Sequence, residues 1–263
     1  MYLIHAASLG YQSAVVRTPD SDIFFILLYH AEDINLISYL DTGTGKNRRL
    51  INISEIASEK GHSYCESLLG IYVFTGEDTC SAFKGKGKVV PLKKLHKNPK
   101  YYSTFAKLGR SWNIEEDTLR ELEEFTCLIF GYPREKEVDT VRSKMLRKMV
   151  GEDSQLSSKS KVDFSKLPPC RDSLRQHCYR VNHRVAIYKR AAQATYEKPN
   201  PYDDMQGWVQ IDGTIEPLWS SGPILPTALT DIVEETVEGI SENEEEEDVE
   251  PEDSDIDDSD DDH

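Results

Sequence analysis

The chain of 263 residues carries 47 Asp or Glu against 31 Lys or Arg, a formal net charge of −16 at pH 7. The excess is local, because residues 231–263 contain 19 of the acids and no Lys or Arg. A segment so dense in like charge has little to bury, so residues 230–263 are predicted to be a disordered acidic tail. The longest apolar run, Ile23–Tyr29, is far shorter than the roughly 20 residues that span a bilayer, which argues against a membrane protein.

The cysteines and the N-terminus favour a reducing compartment. The cysteines are odd in number and none are spaced as Cys-x-x-Cys, which argues against a disulfide framework and a zinc site. The first 16 residues lack the basic stretch of a secretory signal. We therefore expect free thiols and a nuclear or cytoplasmic location. The cysteines are Cys65, Cys80, Cys127, Cys170 and Cys178.

The first 60 residues predict alternating helices and strands. Residues 2–9 read as a helix that Gly10 closes, and residues 13–17 as a buried parallel strand. Residues 23–30 lack a clear period of two, so a helix is favoured over a strand. Residues 35–41 and 48–53 predict a hairpin, and a short helix capped by Ser54 follows and ends at Gly61.

The later elements are mostly helical. A second helix is predicted over residues 63–74, and an amphipathic helix over residues 119–130. Residues 151–166 are polar and rich in serine, which is typical of a linker. Apolar residues at spacings of three and four predict a helix over residues 173–195. Residues 197–229 are rich in Pro, Trp and Gly and are expected to be extended.

Three carboxylates follow predicted secondary structure in a pattern that suits metal ions. Asp20 and Asp22 come directly after the strand at residues 13–17, and Asp78 comes after the helix at residues 63–74. Carboxylate oxygens are the preferred ligands of Mg²⁺ and Mn²⁺, which hydrolyse phosphodiesters in pairs. An equally ordinary interpretation is that these aspartates form turns and helix caps.

A basic segment follows Asp78 at once. Residues 79–114 contain no Asp or Glu. Glycines let backbone N–H groups approach phosphate oxygens, and lysines supply charge without sequence preference. Tyr101, Tyr102 and Phe105 are candidates for stacking on bases. A solvated lysine-rich surface is the alternative. The predicted nucleic-acid-binding residues are Lys84, Gly85, Lys86, Gly87, Lys88, Lys93 and Lys94.

These motifs resemble the flap-endonuclease-like branch of the PIN-domain nucleases, over roughly residues 1–110. In that family a strand ends in Asp-x-Asp, which Asp20 and Asp22 match, and a later Gly-x-Asp supplies one more metal ligand, which Asp78 matches. The Gly-x-Gly turn of a helix-two-turn-helix element grips duplex DNA, and Gly85–Gly87 match it. The resemblance implies a PIN-like fold, Mg²⁺ or Mn²⁺ as weakly bound cofactor, and DNA as partner.

A second resemblance covers about residues 1–229. The chain is similar to uncharacterised animal proteins derived from transposable elements, which carry the same short motifs in the same order. The matching stretches are His5-Ala6, Asp41–Gly45, Leu167–His183, Gly207-Trp208 and Glu216–Trp219.

The departures from the nuclease family concern the metal site. That family has further acidic ligands upstream, whereas no Asp or Glu precedes Asp20 in this sequence. Three carboxylates are too few to hold two metal ions about 4 Å apart. We therefore expect either a piece of a longer product or an inactive site.

The sequence thus predicts an α/β fold with a PIN-like, flap-nuclease-like parallel sheet flanked by helices and incomplete at its N-terminus. The expected order is a PIN-like domain with a basic element (1–150), a linker (151–166), a helical and Trp/Pro-rich extension (167–229) and the acidic tail (230–263). The leading function is a nuclease-like nucleic-acid-binding protein of transposon origin, inactive in this form. The alternatives are a structure-selective, metal-dependent endonuclease, and a non-enzymatic protein whose acidic tail binds basic proteins.

Overall fold

The computed structural model describes residues 1–150 and 163–222. Most of the predicted linker and the whole predicted acidic tail therefore lie outside the described residues. The chain begins with helix α1 (Tyr2–Ser8), strand β1 (Ser13–Arg17) and helix α2 (Ser21–Tyr29). The helix favoured over residues 23–30 is thus confirmed, and Asp20 caps its N-terminus by accepting a hydrogen bond from the Asp22 amide.

A mixed sheet follows. Strand β2 (Ile37–Thr42) pairs in parallel with β1, and β3 (Arg49–Asn52) pairs antiparallel with β2, in the order β1-β2-β3. The predicted α/β class and the hairpin are confirmed, but among the described strand pairs only β1–β2 is parallel. The expectation that β1 is buried is wrong: in the described part of the chain it has a strand on one side only, and Val15 is 59% exposed.

Helices α3 (Ile53–Lys60) and α4 (His62–Phe74) come next and meet at Gly61. The cap of α3 is Asn52, which accepts from the Glu55 amide, and not Ser54 as the sequence suggested. Ser54 instead accepts a hydrogen bond from the Ser38 amide and ties the helix to β2. Both helices also pack against α2.

The core is built around α4. Leu69, Ile71, Val73 and Phe74 are fully buried. Three further helices pack around this core: α5 (Val89–Lys97), α6 (Tyr101–Lys107) and α7 (Glu116–Ile129). Helix α8 spans Val138–Val150. The amphipathic helix predicted over residues 119–130 is confirmed, because its apolar face lies in this core.

Helix α9 (Arg171–Lys189) completes the core. The stripe predicted from spacing is confirmed, since Leu174, Cys178, Val181 and Val185 are all buried. The helix ends at Lys189, earlier than predicted, where the Arg190 side chain donates to the Ala186 carbonyl of the last turn. Residues Met1–Ser221 form one compact unit, so α9 shares one core with the earlier helices.

A small hairpin closes the described chain. Strands β4 (Trp208–Ile211) and β5 (Thr214–Pro217) pair antiparallel, with Asp212 and Gly213 both at positive φ in the turn. Residues 197–229 were expected to be extended, and within them the structure shows this antiparallel hairpin. Among the described residues, no helix combines the length and apolar character that crossing a membrane would need.

Candidate functional site

The first acidic segment lies at the carboxyl end of β1. Asp20 is exposed, and its carboxylate serves as the cap of α2. The Asp22 side chain is only 13% exposed and accepts hydrogen bonds from the hydroxyls of Tyr72 on α4 and Tyr188 on α9. Burial, together with donation to Asp22, raises the pKa of both phenols, which therefore stay protonated donors.

The second acidic segment turns Glu77 inward and Asp78 outward. The Glu77 side chain is 1% exposed, and its Oε1 accepts from the Thr79 amide at 3.0 Å. The turn is tight, because a Cβ on Gly76, at φ +106°, would lie 2.6 Å from the Ala82 Cβ. Asp78 is exposed, and its carboxylate has no hydrogen bond or ion pair with the described residues.

Arg184 of α9 lies between the two acidic segments. Its Nε is 3.5 Å from Glu77 Oε2, and its Nη2 is 3.8 Å from Asp22 Oδ2. Its guanidinium also lies 4.5 Å from the centre of the Tyr188 ring. Glu77 Oε2 and Arg184 Nε are buried without a hydrogen-bond partner among the described residues. Asp22, Glu77 and Arg184, with Tyr72 and Tyr188, are called the Arg184 cluster below.

Lys88 adds a second cation beside this cluster. Its Nζ donates to the carbonyls of Tyr72, at 3.0 Å, and Gly76, and lies 4.0 Å from the Tyr72 ring centre. Burial lowers the pKa of Lys88, while Asp22 and Glu77 act in the opposite direction. Lys88 therefore faces the interior of the protein and not the surface where a phosphate would lie.

The Arg184 cluster is a poor fit for a pair of divalent ions. Of the three aspartates matched to the nuclease motif, only Asp22 lies near the second acidic segment. The Arg184 guanidinium lies between Asp22 and Glu77 of that segment. The described residues contain no group of three or more His, Cys, Asp or Glu side chains placed to hold a metal. Arg184 instead supplies the positive charge between Asp22 and Glu77.

A further carboxylate at this end of the sheet is also neutralised. Asp41, at the end of β2, is 5% exposed and forms ion pairs with Arg17 and Arg48. Hydrogen bonds from Arg48 and then Arg17 lower the pKa of Asp41 to about 2, although burial opposes them. Arginine side chains therefore lie beside Asp22, in the first turn of α2, and beside Asp41, at the end of β2.

The basic turn is open to solvent. Gly85 and Gly87 have φ of +73° and +52°, and a Cβ at either position would meet nothing within 4 Å. Lys84 is 63% exposed and pairs with Asp163 at 3.8 Å. Lys86 lies 4.4 Å from the Phe130 ring centre, and burial lowers its pKa. The turn leads into α5, where Lys93 is exposed and Lys94 is half-buried.

The aromatic residues of the basic segment do not form a stacking surface. Tyr101 is 6% exposed and Phe105 is fully buried, so the expectation that they stack on bases is wrong. They pack against Phe125 in the core, with ring centres 5.0 and 4.9 Å away. Tyr102 is half-buried and packs edge-on against Tyr64.

Arg184, Tyr72 and Tyr188 are the site residues that the sequence did not single out. Arg184 and Tyr188 are four residues apart, so they share one face of α9, where Tyr188 continues the predicted apolar stripe. That spacing was the available signal, but it did not reveal which carboxylates the pair would meet.

No family model, no curated protein and no solved structure matches this chain.

Proposed function

We propose that this chain is a nuclease-like nucleic-acid-binding protein of transposon origin, with a PIN-like fold and without phosphodiesterase activity in this form. The two sequence resemblances support the family and the origin. The observation that carries the proposal is the Arg184 cluster: Asp22, one of the three aspartates matched to the nuclease motif, and the neighbouring Glu77 lie beside the fixed guanidinium of Arg184. A cation that cannot exchange with solvent has no means of activating water as a metal ion does.

The exposed turn at Gly85–Gly87 supports binding to a phosphate backbone. Two positive-φ glycines with open surroundings leave room for a phosphate to approach the backbone of the turn, and Lys84 and Lys93 add exposed charge. Contacts of this kind carry no base preference, so binding is expected to be sequence-independent and sensitive to salt.

The test is fluorescence anisotropy with a labelled duplex of arbitrary sequence over a salt series. Each phosphate contact that is lost should reduce the slope of log affinity against log salt by about 0.9. Lys84→Ala and Lys93→Ala should each do so, whereas Lys46→Ala, an exposed lysine in the hairpin turn, should not. Absence of binding by the wild-type protein at low salt would refute the proposal.

A metal-dependent endonuclease is the second candidate, because Asp22 and Glu77 do bring the two acidic segments together. In this function Mg²⁺ or Mn²⁺ would displace Arg184 and recruit Asp20 or Asp78 as further ligands. Purified protein is incubated with flap, hairpin and single-stranded DNA in the presence of each metal. We expect no cleavage. Cleavage that Asp22→Asn abolishes would establish the second candidate in place of the first.

A further inference from the structure

A cavity of about 260 Å³ lies next to the basic turn. It is open on one side and is lined by the residues before the turn, the segment before α9, the start of α9, the end of α7 and the segment after β5. Its walls are mostly apolar and aromatic, with Phe83, Phe130 and Trp219 among them, and Lys84 is part of its lining. The volume is below the roughly 300–1,000 Å³ of sites for drug-sized ligands, so a single ring system is the size that fits.

The cavity wall contains a buried cation, Arg180, which has no anionic partner among the described residues. Arg180 is 2% exposed, and its Nη1 donates to the backbone carbonyls of Gly207, at 2.9 Å, and Leu218, at 2.6 Å. No carboxylate forms an ion pair with it within the described ranges, and burial lowers its pKa. Because an uncompensated buried charge is costly, a ligand with electron-rich or anionic groups is favoured in this cavity.

Trp219 is the exposed aromatic surface of the cavity. The residue is 62% exposed, and the Arg180 guanidinium carbon lies 5.4 Å from its ring centre. The same Arg180 holds the Leu218 carbonyl, which fixes the backbone next to the indole. An exposed ring on an anchored backbone is suited to stacking against a planar ligand.

The rim of the cavity borders the basic turn at Gly85–Gly87. Lys84 lines the cavity and immediately precedes Gly85, whose surroundings are open. A ligand with its ring against Trp219 would therefore have a negatively charged group within reach of Lys84 and of the turn.

We propose that this cavity binds one unpaired nucleotide of a nucleic-acid strand, with its base against Trp219 and its phosphate at Lys84. The inference rests on the proposed nucleic-acid binding and adds a preference for single-stranded segments over paired ones. Arg180 supplies positive charge for the carbonyl-rich edge of the base, and the aromatic walls exclude water from its faces.

The experiment compares labelled, unstructured single-stranded DNA and RNA with a blunt duplex for the full chain and two variants. Trp219→Ala should weaken single-strand binding about 5- to 150-fold, the equivalent of the roughly 1–3 kcal/mol that one base–aromatic stack contributes, and leave duplex affinity unchanged. Tyr202→Ala, which removes another exposed aromatic residue, should change neither. An abasic strand keeps the phosphates without bases, so the wild-type protein should bind it as weakly as Trp219→Ala binds the normal strand.

The possible outcomes distinguish a nucleotide site in the cavity from phosphate binding at the basic turn. Single-strand affinity that is unchanged in Trp219→Ala, or equal loss for duplex and single strand, would refute the nucleotide site and leave the proposed function standing. Failure of the wild-type protein to bind any of the nucleic acids would refute both. Circular dichroism confirms that Trp219→Ala is folded before the affinities are compared.

Discussion

Replacing Arg184 with methionine removes the charge at the centre of the Arg184 cluster while keeping most of the side-chain volume. With an effective dielectric constant of about 20, two unit charges 3.5 Å apart, the Arg184–Glu77 distance, attract by about 5 kcal/mol. Desolvation offsets part of this attraction, and the 26% exposure of Arg184 screens it further. The variant also leaves the buried Glu77 carboxylate without its cation, so we expect it to lower the free energy of unfolding by about 3 kcal/mol.

The measurement is urea denaturation at neutral pH, with the midpoint and slope compared between variants. Arg120→Met is the matched control. Both side chains of the Arg120–Asp117 ion pair are exposed to solvent, so this pair should contribute less than about 1 kcal/mol. Adding Glu77→Gln to Arg184→Met removes the isolated charge and should restore most of the lost stability. An Arg184→Met cost no larger than that of Arg120→Met would refute the view that Arg184 neutralises these carboxylates.

Three further predictions concern packing, pH and the tail. Gly70→Ala should cost about 2 kcal/mol in the same denaturation assay, because the new Cβ would clash with the Phe105 carbonyl of α6. Burial lowers the pKa of Lys189 from 10.5 to about 8, so the folded protein loses this proton at lower pH than the unfolded chain. This group should therefore raise the free energy of unfolding of the wild type as the pH rises from 8 to 10.5. Because Lys189→Met lacks the group, its free energy of unfolding should fall relative to that of the wild type over the same pH range. Residues 231–263 lie outside the described residues, and their 19 acids should compete with DNA for the basic turn. Truncation after Thr230 should then tighten duplex binding at low salt, whereas equal affinity over a salt series would show that the tail does not compete.

Most local structure followed from the sequence. The three-and-four spacing that places Leu174, Cys178, Val181 and Val185 in a stripe predicted α9, because a helix repeats about every 3.6 residues. Asp20 and Gly61 marked helix ends through backbone hydrogen bonding and positive φ. The partition of charge into a near-neutral body and an acidic tail was also a property of composition alone.

The tertiary structure decided which charged side chains meet. Nothing in Gly76–Asp78 tells which acid faces inward, and only the structure shows that Glu77 does so, beside Arg184 of the distant α9. Tyr188 and Asp22 are 166 residues apart, and their hydrogen bond exists only because α9 packs across α2 and α4. Local patterns act through backbone geometry over a few residues, whereas an ion pair such as that of Arg184 depends on the position of a distant helix in the core. The sequence therefore determined most of the elements and the charged segments, and only their packing decided that an arginine lies beside Asp22 and Glu77.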